Sequence, residues 1–132
     1  MAKQIFVNLP VQDLQRSVSF FTGLGFRFDS RYTDENATCM IVAENIYVML
    51  LVDSFFQTFT RKPLCDATQA TEVLLCLPCD SRAEVDELMR KALTAGGALA
   101  REPQEDDLMY GQSFEDPDGH IWELIYMEPG AA

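Results

Sequence analysis

One order of elements occurs twice in this chain, and that duplication constrains the fold more than any other feature. Gln4 to Leu9 is a strand-like run closed by Pro10, and Thr71 to Leu77 is another closed by Pro78, at an offset of 68 residues from Leu9 to Leu77. A helical pattern follows each. Asp13 is placed to cap a helix that carries Leu14, Val18 and Phe21 at helical spacing, and Gly23 and Gly25 stop it. Ser81 and Glu84 form a capping box ahead of Val85, Leu88, Met89 and Ala92, and Gly96-Gly97 ends that helix. Three strand-like runs complete each copy. They are Phe26 to Tyr32, Ala37 to Val42 and Ile46 to Val52 in the first, and Ala98 to Glu102, Met109 to Glu115 and Ile121 to Met127 in the second. Each copy therefore reads β-α-β-β-β, and the fold class is α+β. A unit this short cannot bury its sheet face alone, so two copies must pack together, or with a second chain, around a shared concave mixed sheet. A cleft of that kind is where a ligand would sit.

The 132 residues are expected to form a single domain, with module one over about 4–52, a connector over 53–70 and module two over about 71–127. Within the connector Phe55, Phe56 and Phe59 are spaced for one helical turn, and Arg61 to Gln69 reads as loop. A connector of this length in a compact domain is usually functional or mobile.

The stretch from Phe114 to Met127 carries the most chemistry. Asp116-Pro117-Asp118-Gly119 is a turn signal: Pro presets φ, Asp tolerates the third position and Gly takes the left-handed one. In the strand after it, alternation puts Trp122, Leu124 and Tyr126 on one face and Ile121, Glu123 and Ile125 on the other. A carboxylate between two isoleucines needs a partner, a proton, water or a metal if its face is inward. His120, the only histidine, reads as a turn residue on the Trp122 side. Tyr110 and Gln112, on one face of the preceding strand, are candidate polar groups of a pocket.

A net charge of −11 argues against nucleic acid and anionic membranes, both of which are bound through Lys and Arg, and would favour a cationic ligand. No run approaches the ~20 apolar residues of a membrane helix. Met1 to Gln4 leads straight into a strand pattern, so no secretory signal is expected and the location expected is cytoplasmic. Cys76-Leu77-Pro78-Cys79 has redox or zinc spacing, but strand alternation turns its two thiols to opposite faces. They read as small buried thiols in a reducing compartment.

Two β-α-β-β-β modules, the N-L-P-V-Q-D-L-Q-R-S-V-S-F-F segment before G-L-G-F, the A-G-G that closes the second helix and the D-P-D-G-H-I-W-E segment together resemble the vicinal-oxygen-chelate superfamily. That group includes glyoxalase I, bleomycin-resistance proteins, fosfomycin-resistance enzymes and extradiol dioxygenases, and the resemblance is nearest to small glyoxalase-like bacterial proteins. It implies a metal site with up to four ligands, two from each module. In this sequence those positions fall on Phe6, on Val48 or Met49, on Leu74 and on Glu123. Only Glu123 is a donor for a hard or borderline cation. Glu72, sharing the face of Leu74, and Asn8, sharing that of Phe6, would add only oxygens.

The expectation is a glyoxalase/bleomycin-resistance-like protein that binds a small, cationic molecule in a homodimer cleft without a metal or other cofactor. Phe6, Asn8, Met49, Glu72, Leu74 and Tyr110 would line the site, and Glu123 would pair with the cation or act as a general base. The alternative is a metal-dependent enzyme of the lactoylglutathione-lyase or dioxygenase type, with a divalent metal polarising the substrate and Glu123 as ligand or proton shuttle.

Overall fold

The computed structural model describes residues 3–129, and the chain divides into two compact units that meet between Cys65 and Asp66. Each unit repeats one topology. The first contains β1 (Ile5–Val11), α1 (Leu14–Gly23), β2 (Arg27–Asp29), β3 (Ala37–Ala43) and β4 (Ile46–Val52), with sheet order β1-β4-β3-β2. A short helix α2 (Asp53–Phe56) and a tighter turn over Gln57–Phe59 follow. The second unit contains β5 (Leu74–Pro78), α3 (Arg82–Thr94), β6 (Ala98–Glu105), β7 (Met109–Glu115) and β8 (Ile121–Met127), in the order β5-β8-β7-β6. The first strand of each sheet runs parallel to the last, and every other pairing is antiparallel. The duplicated β-α-β-β-β reading and the α+β class hold, but the strands form two four-stranded mixed sheets, one in each unit, rather than the one shared sheet expected.

Local chemistry explains the elements. The Asp13 carboxylate accepts from the Arg16 amide at 3.1 Å and caps α1, whose Phe20 and Phe21 are buried edge to face at 4.9 Å. Gly25, at φ +102°, turns the chain out of that helix. Ser81 accepts from the Glu84 amide at 3.0 Å, but the Glu84 carboxylate reaches back to the amide of Asp80, one residue ahead of the cap. One sheet face in each unit is apolar core: Leu9, Val11, Met40, Val48 and Leu50 in the first, Phe114, Trp122 and Leu124 in the second. The Phe114 and Trp122 rings lie 5° from parallel at 6.4 Å.

Several boundaries differ from the sequence reading. Pro10 and Pro78 lie inside β1 and β5 rather than after them, and Pro103 lies inside β6. All three strands are sheet edges, where a missing N–H is tolerated. The remaining edge strand, β2, is only three residues long, not the run from Phe26 to Tyr32. The Asp29 side chain accepts from the Arg31 amide at 3.0 Å and from its guanidinium, and its carbonyl accepts from the Thr33 hydroxyl. These local bonds compete with the ladder and wind Ser30–Tyr32 into a tight turn. β5 starts at Leu74 rather than Thr71, because its partner β8 starts only at Ile121. Glu72 therefore precedes the strand. Phe55 and Phe59 form the expected helical turn and meet edge to face at 5.2 Å. Among the described residues no helix is long and apolar enough to cross a membrane.

Candidate functional site

The turn at Asp116 fixes everything after it. The Asp116 amide donates to the His120 carbonyl, and the Gly119 amide to the Asp116 carbonyl, both at 2.9 Å. The carboxylate is buried and fully used: Oδ1 accepts from the amides of Asp118 and His120, and Oδ2 from the Trp122 indole at 3.0 Å. Burial pushes this carboxyl above its ordinary value, opposed by the nearby His120, the Trp122 indole and the two amides. His120 is thus a turn residue, tied through its backbone to Asp116.

This turn sets the register of the β7–β8 hairpin, in which Ser113 lies opposite Glu123. On the flanking strands Cys76 pairs with Glu123, and Arg101 with Ser113. Cys76, Glu123, Ser113 and Arg101 therefore form one row across four strands, on the face opposite the Trp122 core. Leu74, Ile121 and Ile125 border the row on the same face. Glu123 is half-buried, and among the described residues it has no hydrogen-bond or ion-pair partner. It lies close enough to Cys76 to act with burial, the larger cause, in raising that thiol above its usual range. Ser113 is 3% exposed, and its hydroxyl has no partner among the described residues. Ser113, Glu123, Arg101 and Ile125 line a recess of about 20 Å³.

An unpartnered buried hydroxyl costs about 1–3 kcal/mol. Ser113→Ala is therefore expected to leave stability unchanged or raise it by up to about 1 kcal/mol in denaturant titration. A loss larger than that would mean that the hydroxyl is satisfied within the fold.

In the first unit Phe6, Asn8 and Met49 share one sheet face: Asn8 is the register partner of Met49, and Phe6 that of Tyr47. The Phe6 and Tyr47 rings stack at 4.8 Å, 14° from parallel. Val48 is 3% exposed and turned to the core, so of the two residues that could hold the second metal position only Met49 is on the Phe6 face. In the second unit Leu74 shares the face of Glu123, but Glu72, exposed and ahead of the strand, does not take part in the row.

Tyr110 and Gln112 lie on the sheet face opposite Glu123, although Gln112 also borders the recess that Glu123 lines. Tyr110 pairs with Tyr126 and Gln112 with Leu124, both on the Trp122 side. There they meet α3. The Tyr110 hydroxyl donates to the Asp86 carboxylate, Gln112 Nε2 donates to the same carboxylate at 2.7 Å, and the Arg82 guanidinium lies 5.1 Å from the centre of the Tyr110 ring. The Asp86 contact, with burial second, raises the Tyr110 phenol above its usual range. Arg82 also pairs with Glu105 and, at 3.4 Å, with Glu128. Ser113 and Arg101 were not anticipated. Counting outward from the Asp116 turn would have placed Ser113 opposite Glu123, whereas the irregular register of β6 hides Arg101.

The metal set implied by the resemblance does not fit these residues. Phe6 is stacked on Tyr47, Leu74 has no donor atom, Met49 offers only a thioether, and Glu123 is the one hard ligand. Among the described residues no three His, Cys, Asp or Glu side chains converge as a metal would require.

Comparison with known proteins adds the following. Residues 3–43 match the family model for the bleomycin resistance protein-like N-terminal region. No curated protein matches the sequence. Among solved structures, the hypothetical protein SA1046 from S. aureus is 31% identical, with 96% of this chain and 94% of that one covered and a TM-score of 0.81. A glyoxalase/bleomycin resistance protein/dioxygenase family enzyme from Burkholderia phytofirmans superposes at a TM-score of 0.80 with 17% identity, over 96% of this chain and all (100%) of the other. The fosfomycin resistance protein FosX from Mesorhizobium loti superposes at 0.69 with 15% identity, over 98% and 95%.

Proposed function

Since the chain belongs to the vicinal-oxygen-chelate superfamily, in its glyoxalase/bleomycin-resistance-like group, we propose that it binds a small cationic molecule without a metal, in the cleft of a cytoplasmic homodimer. One observation carries this reading: Glu123 is half-buried among isoleucines with no hydrogen-bond or ion-pair partner among the described residues, in a set of positions otherwise apolar or thioether. An uncompensated carboxylate in such a place has a stake in a cation. The net charge of −11 would raise the local concentration of cations. All four cysteines stand as thiols, which suits a reducing compartment, but only Cys39 and Cys79 are buried, whereas Cys65 and Cys76 are exposed rather than buried as expected.

Two measurements test this. Purified protein is incubated with zinc, nickel, manganese and iron(II), desalted and submitted to elemental analysis. Substoichiometric metal is expected; one equivalent bound per chain would overturn the proposal and move the search to lyase and dioxygenase substrates. In parallel, a panel of cationic aromatic compounds is titrated against wild type and Glu123→Gln. The variant is expected to fold with stability within about 0.5 kcal/mol of wild type, because no internal partner is lost. Its affinity for the cations that bind should fall by about tenfold or more, the scale of one charge-assisted hydrogen bond. Equal affinity in the two proteins would remove Glu123 from the site.

A further inference from the structure

The row across the second sheet holds two opposite charges that do not meet. Glu123 on β8 and Arg101, with its neighbour Glu102, on β6 line the same recess, with β7 between them. Adjacent strands lie about 4.8 Å apart, so the two backbones are separated by roughly 10 Å. Among the described residues no ion pair joins the two side chains. Between them, on β7, is the buried Ser113 hydroxyl, which has no partner among the described residues. Such groups are rare in native proteins, and here it lines the recess that both charges line.

Size and charge narrow what could complete this row. A recess of about 20 Å³ admits one water-sized group. A primary ammonium is of that size and donates three hydrogen bonds, enough for both the Glu123 carboxylate and the Ser113 hydroxyl. A trimethylated ammonium is too large and donates none. A bare amine would leave the Arg101 guanidinium without an anion. A carboxylate on the adjoining carbon reverses that, because a guanidinium forks onto a carboxylate with two parallel hydrogen bonds. We infer that Glu123, Ser113 and Arg101 form a seat for the zwitterionic head of a small molecule, a primary ammonium next to a carboxylate. The ammonium is held by Glu123 and Ser113, and the carboxylate by Arg101. This deepens the reading of Glu123 as a cation partner and rests on it.

The test uses the full chain, labelled with nitrogen-15, and glycine as the probe, with glycine betaine, methylamine and acetate for comparison. Glycine up to about 50 mM is expected to shift the amides of residues 101, 113 and 123 saturably, with at least about tenfold higher affinity than any of the other three. Ser113→Ala and Arg101→Gln should each weaken glycine binding by about tenfold while keeping the wild-type spectrum elsewhere. Absence of a saturable shift, or betaine acting as well as glycine, would overturn the assignment. Methylamine acting as well as glycine would also overturn it, because the carboxylate would then contribute nothing. In each of these cases the broader reading survives if cationic aromatic compounds still bind in a Glu123-dependent way, and falls if they do not.

Discussion

Gly119→Ala is expected to destabilise the protein by about 3 kcal/mol, from two costs that add at one methyl group. The residue has φ +90°, where an L side chain is strained. A Cβ there would also lie 2.7 Å from the Ala67 carbonyl oxygen and 2.8 Å from both the Ala67 carbonyl carbon and the Thr68 amide nitrogen. Those are backbone atoms, and they cannot step aside as a side-chain tip can. The 66–70 turn is itself stiff: the Asp66 side chain accepts from the Thr68 amide and hydroxyl, and its carbonyl from the amides of Gln69 and Ala70. Gly25→Ala is the control. Its φ of +102° is equally unsuited to Ala, but a Cβ there meets nothing within 4 Å, so only about 1 kcal/mol should be lost. Thermal melts of the two variants should therefore separate, with Gly119→Ala lower by roughly 6–12 °C. Coincident melting points would mean that the turn moves away from Gly119 at little cost.

Replacement of Asp116 should be as damaging. Asp116→Ala leaves the Trp122 indole and the amides of Asp118 and His120 without their acceptor, two of them feeding one oxygen, and should cost roughly 3–5 kcal/mol. Asp116→Asn keeps the shape but sets an NH2 group against either the indole or the two amides, and should cost about 2 kcal/mol. The pH dependence separates charge from shape. Burial raises the folded-state carboxyl above its ordinary value of 3.8, so the folded protein holds this proton more tightly than the unfolded chain. The stability it contributes is full below the unfolded value and is lost as pH rises through the raised folded value. The wild-type advantage over Asp116→Asn, measured by denaturant titration, should therefore shrink as pH rises across that window. An advantage that grows with pH would show that the amides and the indole outweigh burial.

Much of this architecture was legible because its signals are local. Caps at Asp13 and Ser81, the glycines after each helix and the Asp116 turn act within four residues of themselves, and all appear where the pattern put them. Register is not local in that sense. The sequence pattern groups Tyr110 with Glu123, yet the hairpin pairs it with Tyr126, and period two then carries it to the α3 side. A one-residue slip in pairing exchanges the two faces of a strand, so a pocket inferred from unregistered strands can include a side chain from the wrong face. Phe6, Asn8 and Met49 share one sheet face because β1 and β4 alternate regularly along seven paired residues. Arg101 was out of reach for the opposite reason: β6 pairs irregularly at two places, and alternation cannot be counted across them.

The prolines of the outer strands have a consequence for how this protein can meet others. Among the described residues the outer strands β1, β5 and β6 each lack an amide at Pro10, Pro78 and Pro103, and β2 is only three residues long. A foreign strand seeking to extend either sheet would find an interrupted row of donors. Growth by strand addition, the route to fibrils, is thereby discouraged.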